Sequence, residues 1–194
     1  MTALRVPRKF TPEEYLRFEE HAEYKSEFYN GEIFAMAGAS PKHNVVFTNV
    51  FGWLCRELEG KKCQPIGSDQ RLRVLASGLY TYPDIQIVCQ RPSYDPRSPS
   101  TLINPTVIFE IISDSTEEYD CGVKLDFYRD VESAKGIVHI WQDEVRVEVY
   151  HRTPDGQWGK LRYHDSNAEI PIPGIALNLP MSRVYLEPQY GEAE

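Results

Sequence analysis

Six consecutive residues of strong strand propensity, Val107-Ile108-Phe109-Glu110-Ile111-Ile112, contain a single acid. Apolar side chains at both parities describe a central strand covered on both faces. A carboxylate there loses its hydration at a cost of several kcal/mol unless it is paired, protonated or bound to a metal. A salt bridge to a neighbouring Arg or Lys is the ordinary alternative. A second acid, Asp84, opens another apolar stretch, Tyr82-Pro83-Asp84-Ile85-Gln86-Ile87-Val88. Taken alone, Pro-Asp is a common turn dipeptide. Two carboxylates on neighbouring strands, which lie ~4.8 Å apart, repel one another without a cation and together suit one or two Mg²⁺ ions. Gln86, two residues beyond Asp84, shares its strand face and is a candidate contact for water or substrate.

Lys124 is the third chemical element. Glu110 lies ~16 Å of strand before the turn that follows it. Lys124 lies ~12 Å into the helix that must fold back along the sheet. The two stand at similar heights, and a lysine side chain spans the remainder. The competing reading is a surface lysine, the default for the residue type. Other chemistries find little support. The five His show no HxH or HExxH spacing, His139 reads as a satisfied sheet histidine, and no GxGxxG, GxxxxGK[ST] or GxSxG loop occurs.

The elements that must position these residues are legible from pattern. Thr11-Pro12-Glu13-Glu14 opens a helix with a capping box. Asn30-Gly31 between apolar-rich arms predicts a hairpin. Phe47, Phe51, Leu54 and Leu58 recur at helical spacing, with Val46 and Val50 beside them, and predict a helix from about Pro41 to Leu58. Strands are expected at 62–66, 71–75 and 79–88, a loop at 90–100 and a buried strand at 106–112. A capping turn at 113–116, with Ser115 and Glu118 in capping-box spacing, should start a helix that runs to about Asp130. Residues 137–141 and 145–151 form a hairpin, and short edge strands follow. This order fits one α/β (α+β) domain over 1–194.

Together the motifs are more specific than any one alone. Tyr82-Pro83-Asp84, then Phe109-Glu110-Ile111-Ile112-Ser113, then Ser115-Thr116, Tyr119-Asp120 and Lys124 resemble the Uma-type restriction-endonuclease family. So do Glu27-Phe28-Tyr29-Asn30-Gly31-Glu32-Ile33, His43 and Ser68-Asp69-Gln70-Arg71-Leu72. The resemblance implies a PD-(D/E)XK core: a central mixed β-sheet flanked by helices, spanning about 41–141, with an N-terminal helix and hairpin. It implies Asp84 and Glu110 as metal ligands, with the backbone carbonyl of Ile111 completing the shell. The motif's lysine would fall at Ile112, which cannot serve, so Lys124 takes the role from the following helix. Glu27 and His43 match further positions near the implied site. The implied chemistry is phosphodiester hydrolysis with Mg²⁺, or Mn²⁺, as cofactor and DNA as partner. A homodimer is compatible with cutting both strands of a duplex.

Composition bounds this reading. The chain of 194 residues is 41% hydrophobic and 26% charged, and its 12 Tyr and 8 Phe are at odds with disorder. No apolar run suits a membrane span. The N-terminus lacks a signal-type apolar core, so a cytoplasmic protein with reduced cysteines is expected. The net charge of −8 is awkward for an enzyme that must approach phosphates. A nuclease-fold binding or regulatory module, or a hydrolase of another phosphoester such as RNA or a small molecule, therefore stands beside the DNA endonuclease.

Overall fold

The computed structural model describes residues 8–188. The chain opens with α1 (Pro12–Glu19), where Thr11 and Glu14 form the expected capping box. The hairpin β1 (Ser26–Tyr29) and β2 (Glu32–Ala35) turns at Asn30 and Gly31, with φ of 49° and 86°. These are the left-handed values that an Asn-Gly turn supplies at low cost. Next come α2 (Pro41–Leu58), β3 (Gln64–Gly67), β4 (Arg71–Arg73), β5 (Tyr80–Thr81) and β6 (Ile85–Val88). They are followed by β7 (Tyr94–Asp95), β8 (Ser98–Leu102), β9 (Val107–Ile112), α3 (Glu117–Cys121) and α4 (Val123–Arg129). The last elements are β10 (Gly136–Trp141), β11 (Val147–Arg152), β12 (Trp158–Tyr163), β13 (Glu169–Pro171), β14 (Asn178–Pro180) and α5 (Met181–Val184).

Two six-stranded sheets result. One has the order β2-β1-β5-β4-β8-β7, the other β12-β11-β10-β9-β6-β3. In the second, β9 and β10 are parallel, joined across α3 and α4, and the remaining pairs are antiparallel. Every residue of β9 is buried because both of its faces are covered. Val107, Phe109 and Ile111 pack with Val46, Val50 and Leu54 of α2. Ile108, on the opposite face, packs with Leu125 and Tyr128 of α4 and Leu72 of β4. Glu110 shares the parity of Ile108 and so belongs to the α4 side. This mixed α/β architecture is the restriction-endonuclease-like arrangement expected.

Four local expectations need correction. The strand expected over 79–88 is two strands in different sheets, because Pro83 has no amide hydrogen for a ladder and the chain steps from one sheet to the other at Tyr82-Pro83-Asp84. The loop expected at 90–100 contains β7 and begins β8. Their buried side chains, Asp95, Ser98 and Thr101, are held by hydrogen bonds to Arg73 and Arg71, which a search for apolar alternation misses. The single helix expected to reach Asp130 is broken at Gly122, where a Cβ would stand 2.5 Å from the Glu118 carbonyl oxygen. Its start also differs: Thr116 is the N-cap and makes no side-chain cap. Finally, Cys63 and Cys89 form a disulfide rather than free thiols. The β3–β6 register pairs Gln64 with Val88, so the next residues out meet face to face without any short Cys spacing in sequence.

Candidate active site

Asp84 sits at the step between the two sheets. The first β6–β9 pair is Ile85 with Phe109, so Ile111 lies beyond the ladder and its N–H is free for another acceptor. Asp84 Oδ2 accepts that N–H at 2.7 Å. Its other oxygen, Oδ1, lies 3.1 Å from His43 Nε2. His43 is held in the first turn of α2, where its own N–H donates to the N-cap hydroxyl of Ser40.

Glu110 follows Phe109 on β9 and is buried. Its Oε1 lies 2.9 Å from Lys124 Nζ and accepts the phenol hydrogen of Tyr128. The Lys124 ammonium lies between further acids, 3.0 Å from Asp120 Oδ1 and 3.4 Å from Glu27 Oε1. Glu27, on β1, also accepts from Thr81 and from Tyr119. Lys124 is thus a buried lysine, 5% exposed, and not the surface residue that its type suggests. It reaches Glu110 from the second residue of α4, although the helix is broken before it. The break costs little of the height argument because α4 continues down the same side of the sheet.

The site is rich in negative charge. Burial pushes the Glu110 carboxyl up to about 8; Lys124 opposes the rise, and the charges of Asp84 and Asp120 add to it. Burial works against the Lys124 ammonium, yet Glu110, Tyr128, Glu27 and Asp120 hold its pKa well above the ordinary value. Lys124 therefore stays charged beside a Glu110 carboxyl whose pKa burial raises. Tyr119 and Tyr128 are both raised by burial and act as hydrogen-bond donors.

Asp84, Glu110, Lys124, Glu27 and His43 are brought to one region by these contacts. Gln86 is not open to it: the side chain is fully buried and donates to the Gln70 carbonyl, with Oε1 left without a partner. The Ile111 backbone takes part through its N–H. Three contributors carried no role in the sequence reading: Asp120, Tyr119 and Tyr128. The spacing of Asp120 and Lys124, one helical turn, was the available signal. Tyr128 could not be found that way, because its hydroxyl meets Glu110 only through the packing of α4 on β9. His139, expected to be a satisfied sheet histidine, is half so. Nδ1 lies 3.6 Å from Cys121 Sγ, Nε2 is buried without a partner, and burial pushes its pKa down to about 4.

Two carboxylates are a fitting donor set for Mg²⁺, a hard cation that keeps several waters and is commonly held by one or two acids. The surplus of acids over Lys124 points the same way. Among the described residues, however, no three His, Cys, Asp or Glu side chains are grouped to hold a metal ion.

The family model for Uma2, described as "Putative restriction endonuclease", matches residues 12–182. The chain belongs to the Uma2 family. Uma2 membership places it in the PD-(D/E)XK nuclease superfamily. Two uncharacterized proteins of Synechocystis sp. are similar along nearly their whole length. One is 30% identical over 177 residues, covering 91% of this chain and 92% of the relative. The other is 35% identical over 170 residues, covering 88% and 96%. The fold is similar to the crystal structure of a "putative nuclease belonging to DUF820" from Anabaena variabilis, with a TM-score of 0.71 at 19% identity over 89% of this chain and 95% of that one. At that identity the likeness concerns the fold. No described helix of this Uma2 protein is long and apolar enough to cross a membrane.

Proposed function

We propose that this Uma2 protein is a Mg²⁺-dependent endonuclease that hydrolyses phosphodiester bonds in DNA. The observation that carries the proposal is the 2.9 Å contact between Lys124 Nζ and Glu110 Oε1, made beside Asp84 by a lysine from a helix where the strand offers only Ile112. Asp84 and Glu110, with the Ile111 carbonyl, would hold the ion, and Mn²⁺ would suit the same oxygens. When bound, Mg²⁺ supplies a Lewis acid for the phosphate and a water of lowered pKa. The chain's own groups do the rest. Lys124 places a compact positive charge where charge develops on the phosphate. Asp120, Glu27 and Tyr128 fix that lysine and Glu110 in position, and His43 fixes Asp84.

A second reading is a nuclease-fold module that binds nucleic acid or another phosphoester with little catalysis. It is favoured by the lack of a three-ligand group among the described residues and by the internal engagement of Lys124 with three acids. The deciding experiment incubates the full chain with supercoiled, linear and single-stranded DNA, RNA and a small diester, each with Mg²⁺, Mn²⁺ or EDTA. The endonuclease reading expects DNA cleavage that EDTA stops. Asp84→Asn should abolish it and leave the metal-free melting temperature unchanged or raised, since the amide oxygen still accepts the Ile111 N–H while a charge that burdens Glu110 is gone. Binding without cleavage would select the module, and cleavage confined to RNA or the small diester would select the other hydrolase. An Asp84→Asn variant that cuts normally would remove Asp84 from the chemistry.

A further inference from the structure

Cys55, Cys63 and Cys89 are not among the residues of the candidate active site and carry a separate argument. The Cys63–Cys89 disulfide ties β3, the edge strand of its sheet, to β6 just past the end of their ladder. Cys63 also lines a cleft of about 720 Å³ at the C-terminal end of α2. Cys55, a free and exposed thiol on α2, lines the same cleft, with Arg56, Lys61 and Pro65 among its other walls. Gly52, one turn earlier on that helix, has no atom within 4 Å of where its Cβ would stand. Space is therefore open beside the thiol. The cleft is thus lined by a free thiol residue, Cys55, and by one half of a disulfide, Cys63. These are the two reactants of thiol–disulfide exchange, which proceeds by attack of a thiolate on one sulfur.

We propose that Cys55 is an exchange thiol for the Cys63–Cys89 disulfide, and that the cleft is a thiol–disulfide exchange site open to small thiols. In the internal step, Cys55 Sγ loses its proton and attacks Cys63 Sγ. The Cys55–Cys63 bond forms as the Cys63–Cys89 bond breaks. The electron pair leaves on Cys89 Sγ, which takes up the proton. One disulfide and one thiol stand on each side, so no oxidant or reductant is consumed. With an external thiol, attack at Cys63 gives a mixed disulfide, which Cys55 resolves by the same displacement, releasing the small thiol. The consequence is mechanical. The covalent tie moves from the edge of the sheet to a link between the last turns of α2 and the residue before β3. That shorter loop restrains the unfolded chain less. The end of β6 at Cys89 is then released, and the other end of the same strand adjoins Asp84.

Two measurements on the full chain test this. Cys89→Ser oxidised with diamide should close a Cys55–Cys63 bridge within one molecule, seen by peptide mapping without reduction. The oxidised native chain and Cys55→Ser should then be reduced with glutathione while Cys89 alkylation is followed by mass spectrometry. The native chain is expected to release Cys89 roughly tenfold faster, as a tethered thiol at millimolar effective concentration would allow. Cys55 is exposed, so Cys55→Ser should melt with the native chain; Cys55→Ala serves as a second variant if it does not. Failure of Cys89→Ser to form the internal bridge, bridging of Cys55 only between two molecules, or equal release rates would each overturn the proposal.

Discussion

Two ion clusters on one face of the same sheet have opposite compositions. Register places Glu110 beside His139, His139 beside Glu148, and Glu148 beside Arg162. At one end of this row, one ammonium, Lys124, is surrounded by Glu110, Asp120 and Glu27, all nearly out of solvent. At the other end, one carboxylate, Glu148, is surrounded by Arg146, Arg162 and Lys160, which are a fifth to a half exposed. Burial alone would raise both acids. It wins at Glu110, which rises to about 8. At Glu148 burial is overcome by hydrogen bonds from Lys160, Arg146 and Tyr150, and the pKa falls to about 2. Both glutamates are out of solvent contact, and they differ because Glu110 is the more deeply enclosed and because the sign and number of their charged neighbours are opposite. The first cluster is short of positive charge, with three acids around one ammonium. The second has its charges met internally and secures the sheet edge.

The comparison is broken most severely at its acidic end. Lys124→Ala should lower cleavage roughly 10²–10³-fold, the scale of removing one transition-state charge stabiliser, with Mg²⁺ affinity little changed. Lys124→Arg should recover little, since a planar guanidinium does not sit where an ammonium does. Single-turnover rates with metal titrations check both, and full activity in Lys124→Ala would reduce the lysine to a structural cation. The stability cost of Lys124→Ala at neutral pH should be about 3 kcal/mol, as three buried acids lose their partner. Denaturant unfolding measures it.

At the basic end, Glu148→Gln should cost less, on the order of 1–2 kcal/mol, because its three cations can turn to water. Cleavage by this variant should stay within about twofold of the native rate. A cleavage loss comparable with that of Lys124→Ala would mean that the two clusters act as one.

Acid unfolding sharpens the contrast further. The Glu148 pKa is lowered on folding from an ordinary value near 4.5 to about 2. The unfolded chain then binds the proton more readily, so this contribution is present above pH 4.5 and is lost as the pH falls toward 2. Melting temperatures of the native chain and Glu148→Gln should converge across that window. Parallel curves would show that the ion pairs do not govern Glu148. The smallest effect belongs to Lys160→Gln. The lysine is 43% exposed, so its loss should cost no more than about 1 kcal/mol and shrink further in high salt.

Much of the fold could be read in advance where one local rule decided the outcome. Thr11 and Glu14 cap α1, Asn30-Gly31 turns the hairpin, and the apolar period of Phe47, Leu54 and Leu58 fixes α2. Each depends on residues a turn or two apart. For the candidate site, the isolated acid of β9 and the Pro-Asp step single out Glu110 and Asp84, and helix arithmetic sets Lys124 at the height of Glu110, which it meets in the fold. Gln86 was misjudged because strand parity gives a face but not what covers it. Cys63 and Cys89 were misjudged because their meeting depends on the β3–β6 register, which joins segments 26 residues apart.

The sequence by itself determined α1, the first hairpin, α2 and the buried strand β9, and singled out two acids and a lysine as candidates, because periodicity, capping and desolvation act on near neighbours in the chain. Only the tertiary structure decided that Tyr128 and Asp120 share the charges of Glu110 and Lys124, that Asp84 answers the Ile111 N–H and His43, and that one glutamate of the row rises in pKa while the other falls. Those outcomes depend on which charged and hydrogen-bonding groups different strands and helices bring within a few ångströms. Electrostatic energy at that range depends on separation in space and on exclusion of water, and sequence distance records neither.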